Sequence, residues 1–328
     1  MTNSIYNILL VGAGQLGSRH LQGLANINVP VSIEVIDPGE TSLETARARF
    51  AEVESNPNIK EIKFRTRISD KFENIDLAVI ATNADIRADI VTSLLAERSV
   101  RNILLEKVLF QKESDFERVG LLLQNRQVNA VVNCPRRLYP FYKQLKSDLS
   151  GAEPVTFRVD GSNWGLGCNG IHFLDLFAFL TGDCSVSIDD VSLDPTILES
   201  KRPGFLEFTG TIKGSNARGD RFEISSGIEP GSALSVHVGS GSRRIEIHES
   251  AGKALFFDDS AGTSRQEPFA GLFQSQLTGL VAGEMLTGGT CGLTPYDESM
   301  RLHLPMLNAF LGHLNKMSGK QYDYCPIT

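Results

Sequence analysis

Long apolar runs are missing from this chain of 328 residues. No stretch approaches the length that a membrane span needs. The apolar start, Ile8 to Val11, is too short for a signal peptide and runs straight into glycines, so a cytoplasmic protein without membrane contact is expected. Cysteine is scarce: five residues, at 134, 168, 184, 291 and 325, an odd number with no C-x-x-C pair. That scatter excludes a disulfide framework or a structural zinc site and points to a reducing compartment. A basic excess is missing too. With 32 Lys and Arg against 39 Asp and Glu the net charge is −7, which argues against a nucleic-acid partner. Both signs are interspersed, as on a soluble surface. Internal repeats, low-complexity tracts and disordered linkers are absent. What is present is an ordinary hydrophobic content of 41%, enough for a sizeable core, in a length that suggests two domains.

The chain is organised around Asn7-Ile-Leu-Leu-Val-Gly-Ala-Gly-Gln-Leu-Gly-Ser-Arg-His20. A short apolar strand leads into Gly12, Gly14 and Gly17, spaced G-x-G-x-x-G, and a helical pattern follows. In such a loop the first glycine allows the tight turn. The second lets a pyrophosphate approach the backbone, and the third lets helix and strand pack closely. The helix N-terminus then faces the phosphates, and Gln15 and Leu16 within the turn count among the cofactor residues. A second apolar strand, Val31 to Ile36, ends in Asp37, twenty residues past Gly17, where a carboxylate accepts the ribose hydroxyls. That carboxylate would repel a 2′-phosphate, and no Arg or Lys follows until Arg47, so NAD is expected over NADP. Arg19 in the first helix is the residue that complicates this choice.

Strands and helices alternate up to about Asn133: strands at 7–11, 31–36, 77–81, 102–105 and 128–132, helices at 15–25, 42–50, 86–96 and 113–125. Alternation of this kind predicts an α/β fold with a doubly wound parallel sheet. Ligands in such sheets sit at the carboxyl ends of the strands, which adds Thr82, Asn83, Glu106 and Lys107 to the candidates. After Pro135 the pattern changes. A helix is expected over Phe141–Ser150. Strands are expected at Val155–Asp160, Phe205–Lys213, Arg221–Ser226, Ala233–Val238, Arg243–Glu249 and Ala254–Phe257, separated by turn residues. This is a second α/β domain with an open, mainly antiparallel sheet. Helices interrupt it at Gly170–Leu180 and Phe269–Leu286. The final helix, about 294–317, takes Thr294 as its N-cap, and Pro305 should bend it. The expected domains are 1–133, for the dinucleotide, and 134–328, for substrate and oligomerisation.

Lys107 directly follows a buried strand, placed to support alkoxide character on a substrate oxygen. Glu106 beside it could equally make a solvated Glu-Lys pair. Trp164-Gly-Leu-Gly-Cys-Asn-Gly-Ile-His-Phe-Leu-Asp175 sets three glycines before an apolar helix. His172 and Asp175 share one face of it. A histidine titrates near neutrality and can exchange the alcohol proton, with Asp175 as orienter or sugar-hydroxyl ligand. A core histidine is the plainer reading of the same residue. Cys168, His172 and Asp175 stand at i, i+4 and i+7 and are all zinc-compatible ligands, yet no second Cys/His cluster accompanies them, so no metal is expected. Arg136, Arg137 and Trp164 could line a phosphate or nucleotide pocket; the arginines could equally form surface pairs and the tryptophan could be core.

Together these motifs resemble the Gfo/Idh/MocA family of nicotinamide-dependent oxidoreductases. The resemblance runs through Gly12-Ala-Gly-Gln-Leu-Gly17, Ala81-Thr-Asn83, Glu106-Lys107-Val108, Arg136-Arg137-Leu-Tyr-Pro140 and Gly170-Ile-His172-Phe-Leu-Asp175, and ends in the helix from Thr294. It covers nearly the whole chain. It implies a Rossmann domain and a second domain on an open antiparallel sheet, with the last helix packing back on the nucleotide domain. It also implies that Lys107 and His172 face nicotinamide and substrate, that Cys168 and Asn169 lie in the substrate segment, and that sheet faces pair in a homodimer or homotetramer. Three positions depart from the family pattern. Val108 replaces a proline, Cys168 replaces an aspartate, and Pro135 stands where asparagine is common. Cys168 and Pro135, which both concern the substrate pocket, read as signs of an unusual substrate or reduced activity.

The expected function is hydride transfer between NAD and a secondary alcohol or ketone carbon of a sugar, cyclitol or nucleotide sugar. The alternative is a nucleotide-binding regulator or scaffold without turnover. A third reading keeps catalysis on a permanently held nicotinamide.

Overall fold

Three consecutive residues of the first strand, Ile8, Leu9 and Leu10, have no solvent exposure. They explain the architecture around them, because a strand buried on both faces needs helices above and below. The computed structural model describes residues 5–69, 72–149, 151, 153–229 and 231–328. In chain order the elements begin β1 (Tyr6–Val11), α1 (Gln15–Leu24), β2 (Val31–Ile36), α2 (Glu40–Ala51), β3 (Ile59–Arg65), β4 (Asn74–Ile80), α3 (Ala84–Glu97), β5 (Ser99–Leu105), α4 (Glu113–Asn125) and β6 (Asn129–Val132). They continue α5 (Pro140–Asp148), β7 (Thr156–Asp160), α6 (Leu166–Thr181), β8 (Val186–Leu193), β9 (Leu198–Glu199), β10 (Leu206–Glu207), β11 (Gly210–Asn216), β12 (Arg221–Ser226), β13 (Ser235–Ser240), β14 (Arg243–His248), β15 (Lys253–Asp258) and β16 (Thr263–Pro268). The chain closes with α7 (Gln274–Gly288), β17 (Thr294–Pro295) and α8 (Tyr296–Ser318).

The chain forms two compact units. The first takes residues up to Phe110 with Ser114–Pro135 and Leu272–Tyr296. Its seven-stranded sheet runs β17-β6-β5-β4-β1-β2-β3, parallel except for β17, which pairs antiparallel with β6. The strand order reverses between β1 and β4, which puts the ligand crevice of a doubly wound sheet at their carboxyl ends. Helix α7 lies on α1 through glycines: a Cβ on Gly279 would sit 2.5 Å from the carbonyl oxygen of Gly23. Only the missing side chain permits that approach.

The second unit takes Gln111–Glu113, Arg136–Gly271 and Asp297–Thr328. Its eight-stranded sheet runs β16-β15-β14-β13-β7-β12-β11-β8, antiparallel apart from the parallel pair of β12 with β7. One face packs on α6, where Phe177 meets Phe157 and Phe222 at ring distances of 5.9 and 5.2 Å. The other face carries Arg158 paired with Asp160 and Lys213 paired with Glu223. Helix α8 stacks Phe310 on Phe208 at 4.8 Å in this unit.

The α/β class with a doubly wound sheet and a second, mainly antiparallel sheet is what the strand and helix patterns imply. Local bounds differ. Strands β3, β8, β9, β16 and β17 lie outside the expected set. The expected strand Phe205–Lys213 is two strands, because Gly210 turns at φ +109°. Helix α6 starts at Leu166 rather than Gly170, so Cys168 is helical. Thr294 is not an N-cap: it pairs in β17 with Val132, and α8 begins at Tyr296 and runs through Pro305. Ser150, the expected end of α5, lies outside the described residues. Among those residues no helix is long and apolar enough to cross a membrane.

Candidate functional site

The turn after β1 is shaped by three glycines in different ways. Gly12 has φ +92°, and a Cβ there would meet the backbone of Ala81 at 3.0 Å. A Cβ on Gly17 would lie 1.8 Å from the carbonyl oxygen of Gly12. Those two glycines are demanded by the protein's own packing. At Gly14, the N-cap of α1, a Cβ would meet nothing within 4 Å, and no side chain caps the helix. The space over this helix end is the space that a phosphate needs.

Asp37 closes the loop from the next strand. Its Oδ2 accepts the Ala13 N–H and its Oδ1 the Gly39 N–H, both at 2.8 Å. Each carboxylate oxygen keeps a further lone pair for a hydroxyl. Gln15 and Ser18 both accept from Arg49, at 2.6 Å each, and Leu16 is half-buried beside them. Arg19 donates within its own helix to Gln22, at 2.8 Å. At the end of β4, Asn83 is exposed at the N-cap of α3. Among the described residues the buried hydroxyl of Thr82 has no hydrogen-bond partner. An open cradle at Gly14, a carboxylate lashed to the loop and an unsatisfied hydroxyl at the strand ends fit a dinucleotide.

Glu106, at the end of β5, is 3% exposed. Its Oε1 accepts from His20 at 2.8 Å and from the amide of Asn133. Its Oε2 accepts the Lys107 N–H at 3.3 Å. Burial alone would raise this carboxyl, but the hydrogen bond and charge of His20, the Asn133 amide and Lys107 hold it below the usual carboxylate range. Asn133 also donates to Gln274 at 2.7 Å, and Thr278 meets His20 Nδ1 at 3.1 Å. Lys107 is half-buried, and its peptide to Val108 is cis.

In the second unit α6 carries the other candidates. Glu207 from β10 accepts the N–H groups of Gly167 and Cys168, supplying the cap that Gly165 lacks. Cys168 Sγ contacts the Gly165 carbonyl at 3.6 Å, and Asn169 donates to the Trp164 carbonyl at 2.9 Å. Trp164 Nε1 donates to the Ser225 carbonyl at 2.8 Å, and its ring meets Phe173 edge-on at 5.3 Å. His172 is half-buried on the same helix. Asp175 is 1% exposed, and both its oxygens accept from Arg137 at 2.9 Å. Arg136 makes a second fork, to Glu249 at 2.9 and 2.7 Å, and lies 4.2 Å over the Phe173 ring. Burial opposes the Arg136 charge, but Glu249 outweighs it and raises the guanidinium above its ordinary value. Both arginines therefore already hold carboxylate partners. Among the described residues no His, Cys, Asp and Glu group is placed to hold a metal ion.

Four residues that sequence reasoning missed organise the first unit: His20, Arg87, Asn133 and Thr278. Arg87 carried a readable signal. It shares the inward spacing of Ala84, Ala88, Val91 and Leu95 on α3, where a charge needs a reason. His20 and Asn133 gave none, since their common partner Glu106 is remote in sequence.

These features are those of a doubly wound α/β domain with an open helix N-terminus after its first strand. Residues 6–134 match the Gfo/Idh/MocA family model, described as an oxidoreductase family with an NAD-binding Rossmann fold. The chain also shares the fold of solved oxidoreductases. One, from Agrobacterium radiobacter in complex with NAD+, L-tartaric acid and magnesium, matches with a TM-score of 0.71 at 13% identity, over 95% of this chain and 97% of that one. UDP-N-acetylglucosamine 3-dehydrogenase from Acidithiobacillus ferrooxidans matches with a TM-score of 0.68 at 14% identity, over 93% and 97%. A 3-ketoreductase from Actinomadura kijaniata in complex with NADP matches with a TM-score of 0.68 at 14% identity, over 93% and 96%. At these identities the likeness is one of fold. No curated protein sequence matches the chain.

Proposed function

We propose that this chain is an NAD-dependent oxidoreductase acting on a secondary alcohol or ketone carbon of a sugar, cyclitol or nucleotide sugar. The observation that carries the proposal is the open Gly14 cradle inside a loop held by Gly12 and Gly17 and tied to Asp37. Gly12, Gly14, Gln15, Leu16, Gly17, Asp37, Thr82, Asn83 and Glu106 form the cofactor half. Asp37 favours NAD, since a carboxylate bonded to the loop repels a 2′-phosphate. The fold neighbours with NAD+ and with NADP bound support the dinucleotide class. Those named as a UDP-N-acetylglucosamine 3-dehydrogenase and a 3-ketoreductase support the sugar class.

Bound in that cradle, nicotinamide supplies a site that takes or gives hydride. The half-buried ammonium of Lys107 stabilises alkoxide character on the substrate oxygen. His172 takes the proton from that oxygen in oxidation and returns it in reduction. Trp164, Cys168 and Asn169 shape the substrate end of α6. Arg136 and Arg137 act through Glu249 and Asp175, so Asp175 fixes the helix that directs His172. In this reading 1–133 binds the dinucleotide and 134–328 the substrate. Copies pair through the polar face of the large sheet into dimers or tetramers. The free cysteines suit a reducing compartment such as the cytoplasm.

The test is an absorbance screen for reduced nicotinamide, with NAD and NADP offered against sugars, cyclitols and nucleotide sugars. Turnover by one class, lost in His172→Ala and in Lys107→Met, is the expected result. Retained turnover in the double variant overturns the roles. NAD binding with a blank screen shifts the weight to a regulator.

A further inference from the structure

Arg87 sits on the buried face of α3 and is 1% exposed. A guanidinium out of water is costly unless its planar fork of donors finds acceptors. Here Nη1 donates to the Val108 carbonyl, and to the Leu109 carbonyl at 2.9 Å, while Nη2 donates to the Thr82 carbonyl. These oxygens come from two different loops, one leaving β4 and one leaving β5. A single rigid group therefore fixes the spacing between them. Thr82 also lies against the phosphate loop, since a Cβ on Gly12 would meet the Thr82 nitrogen at 3.1 Å.

Lys107 immediately precedes Val108. On its other side its N–H donates to Glu106, which His20 and Asn133 hold in place. The backbone of Lys107 is thus bracketed: a buried carboxylate before it, a buried guanidinium on the two carbonyls after it. The lysine stem is flexible, but its origin and exit direction are set by residues 106 to 109.

We propose that Arg87 is a positioning residue for Lys107, its guanidinium tying Thr82 to Val108 and Leu109 and thereby setting where the lysine leaves the sheet edge. The proposal rests on the reading of Lys107 as the group that meets the substrate oxygen. An arginine is required for it. A lysine at position 87 carries the same charge, but its donors radiate from one nitrogen and cannot span the three carbonyls as a fork.

The experiment reads Lys107 directly. The lysines of the full chain are reductively methylated with isotope-labelled formaldehyde and observed by NMR, with Lys107→Arg identifying the Lys107 signal. Arg87→Lys is expected to move the Lys107 resonance and leave those of lysines in the second unit unmoved. A Lys107 signal coincident with wild type in the folded variant overturns the proposal. If Arg87→Lys does not fold, Arg87→Gln, which still reaches a carbonyl, carries the same measurement. With a substrate in hand, Arg87→Lys should lower kcat on the order of 10²-fold with little change in KM, the cost of a small misplacement of a catalytic group. A wild-type kcat also overturns it. Full turnover by Lys107→Met would instead sink the catalytic reading of Lys107 and leave the resonance result standing, so the two failures are distinguishable.

Discussion

His20 Nε2 lies 2.8 Å from Glu106 Oε1, with the two side chains 0% and 3% exposed. The helix that starts at the phosphate loop is thereby bonded to the strand end that carries Lys107. The other ring nitrogen fixes less. Gln274 Nε2 donates to Thr278 Oγ1 at 2.9 Å, and the single Thr278 hydroxyl proton has two acceptors in reach: the Gln274 carbonyl at 3.1 Å and His20 Nδ1 at 3.1 Å. Gln274 Nε2 also lies 3.4 Å from Nδ1, so that nitrogen has more than one partner in reach while Nε2 faces the Glu106 carboxylate.

That bond predicts an acid-side stability loss. The Glu106 carboxyl is lower in the folded chain than its ordinary value. A depressed carboxyl contributes fully above the unfolded value of about 4.3 and loses its contribution as pH falls through the lower folded value. Glu106→Gln should therefore cost about 2–3 kcal/mol near neutrality. The gap to wild type should shrink once pH drops below about 4. Urea unfolding at stepped pH measures it. Parallel pH curves for the two proteins would assign the acid sensitivity elsewhere.

The loop glycines predict opposite phenotypes from the same substitution. Gly17→Ala drives a methyl into the Gly12 carbonyl, which lies 1.8 Å from the ideal Cβ, so the domain should fail to fold or lose several kcal/mol. Gly14→Ala meets nothing, and its φ of −64° suits alanine. The chain without cofactor should melt unchanged or slightly higher, by about 0.4–1 kcal/mol from reduced unfolded-state entropy. NAD affinity should nonetheless fall at least tenfold, roughly 1.4 kcal/mol, because the methyl occupies the phosphate approach. Calorimetric titration and thermal melts on the one variant separate the two effects. Equal NAD binding by Gly14→Ala would remove the phosphate from that position.

How much of this was legible in the sequence depends on burial. Strands β1, β2, β4, β5 and β6 read as apolar runs because both of their faces are covered. Apart from the two-residue β9, the strands that escaped notice, β3, β8, β16 and β17, are the four edges of the two large sheets. An edge strand half in water needs no apolar run: Ile59-Lys-Glu-Ile-Lys-Phe-Arg65 and Val186-Ser-Ile-Asp-Asp-Val-Ser-Leu193 carry the charges that keep edges from pairing with other chains. At the site, the glycine spacing and Asp37 announce themselves because they are local. The side-chain hydrogen-bond partners of Glu106, Asp175 and Arg136 lie 27 or more residues away, and no pattern in one sequence links them.

Asp37 predicts cofactor choice. Its two oxygens hold the N–H groups of Ala13 and Gly39, and its charge faces the loop. Asp37→Ser removes the charge and one of the acceptors together. NAD affinity should fall about tenfold with the lost ribose contacts, while NADP affinity holds or improves, since a repulsion of order 1 kcal/mol disappears. Fluorescence titrations with both reduced cofactors report the ratio. A parallel loss for NAD and NADP would show that Asp37 shapes the loop without discriminating between them.

The pair Arg137 and Asp175 gives the sharpest energetic test, because the fork is nearly out of solvent, at 8% and 1% exposure. Two ions buried together attract strongly, but each has lost its hydration, so the pair contributes little net stability, while one ion left alone is severely destabilising. Asp175→Leu should therefore cost about 3–5 kcal/mol, and Arg137→Met a similar amount. The guanidinium also lies 5.4 Å from the Phe179 ring and 3.8 Å from Glu298, so part of the Arg137 loss comes from those contacts. The double variant, apolar on both sides, should recover most of the stability. Denaturant unfolding of the four proteins closes a double-mutant cycle, with an expected coupling larger than either single loss, on the order of 5 kcal/mol. Simple additivity would mean that solvent screens the pair, and with it would go the argument that Asp175 fixes α6 and the direction of His172.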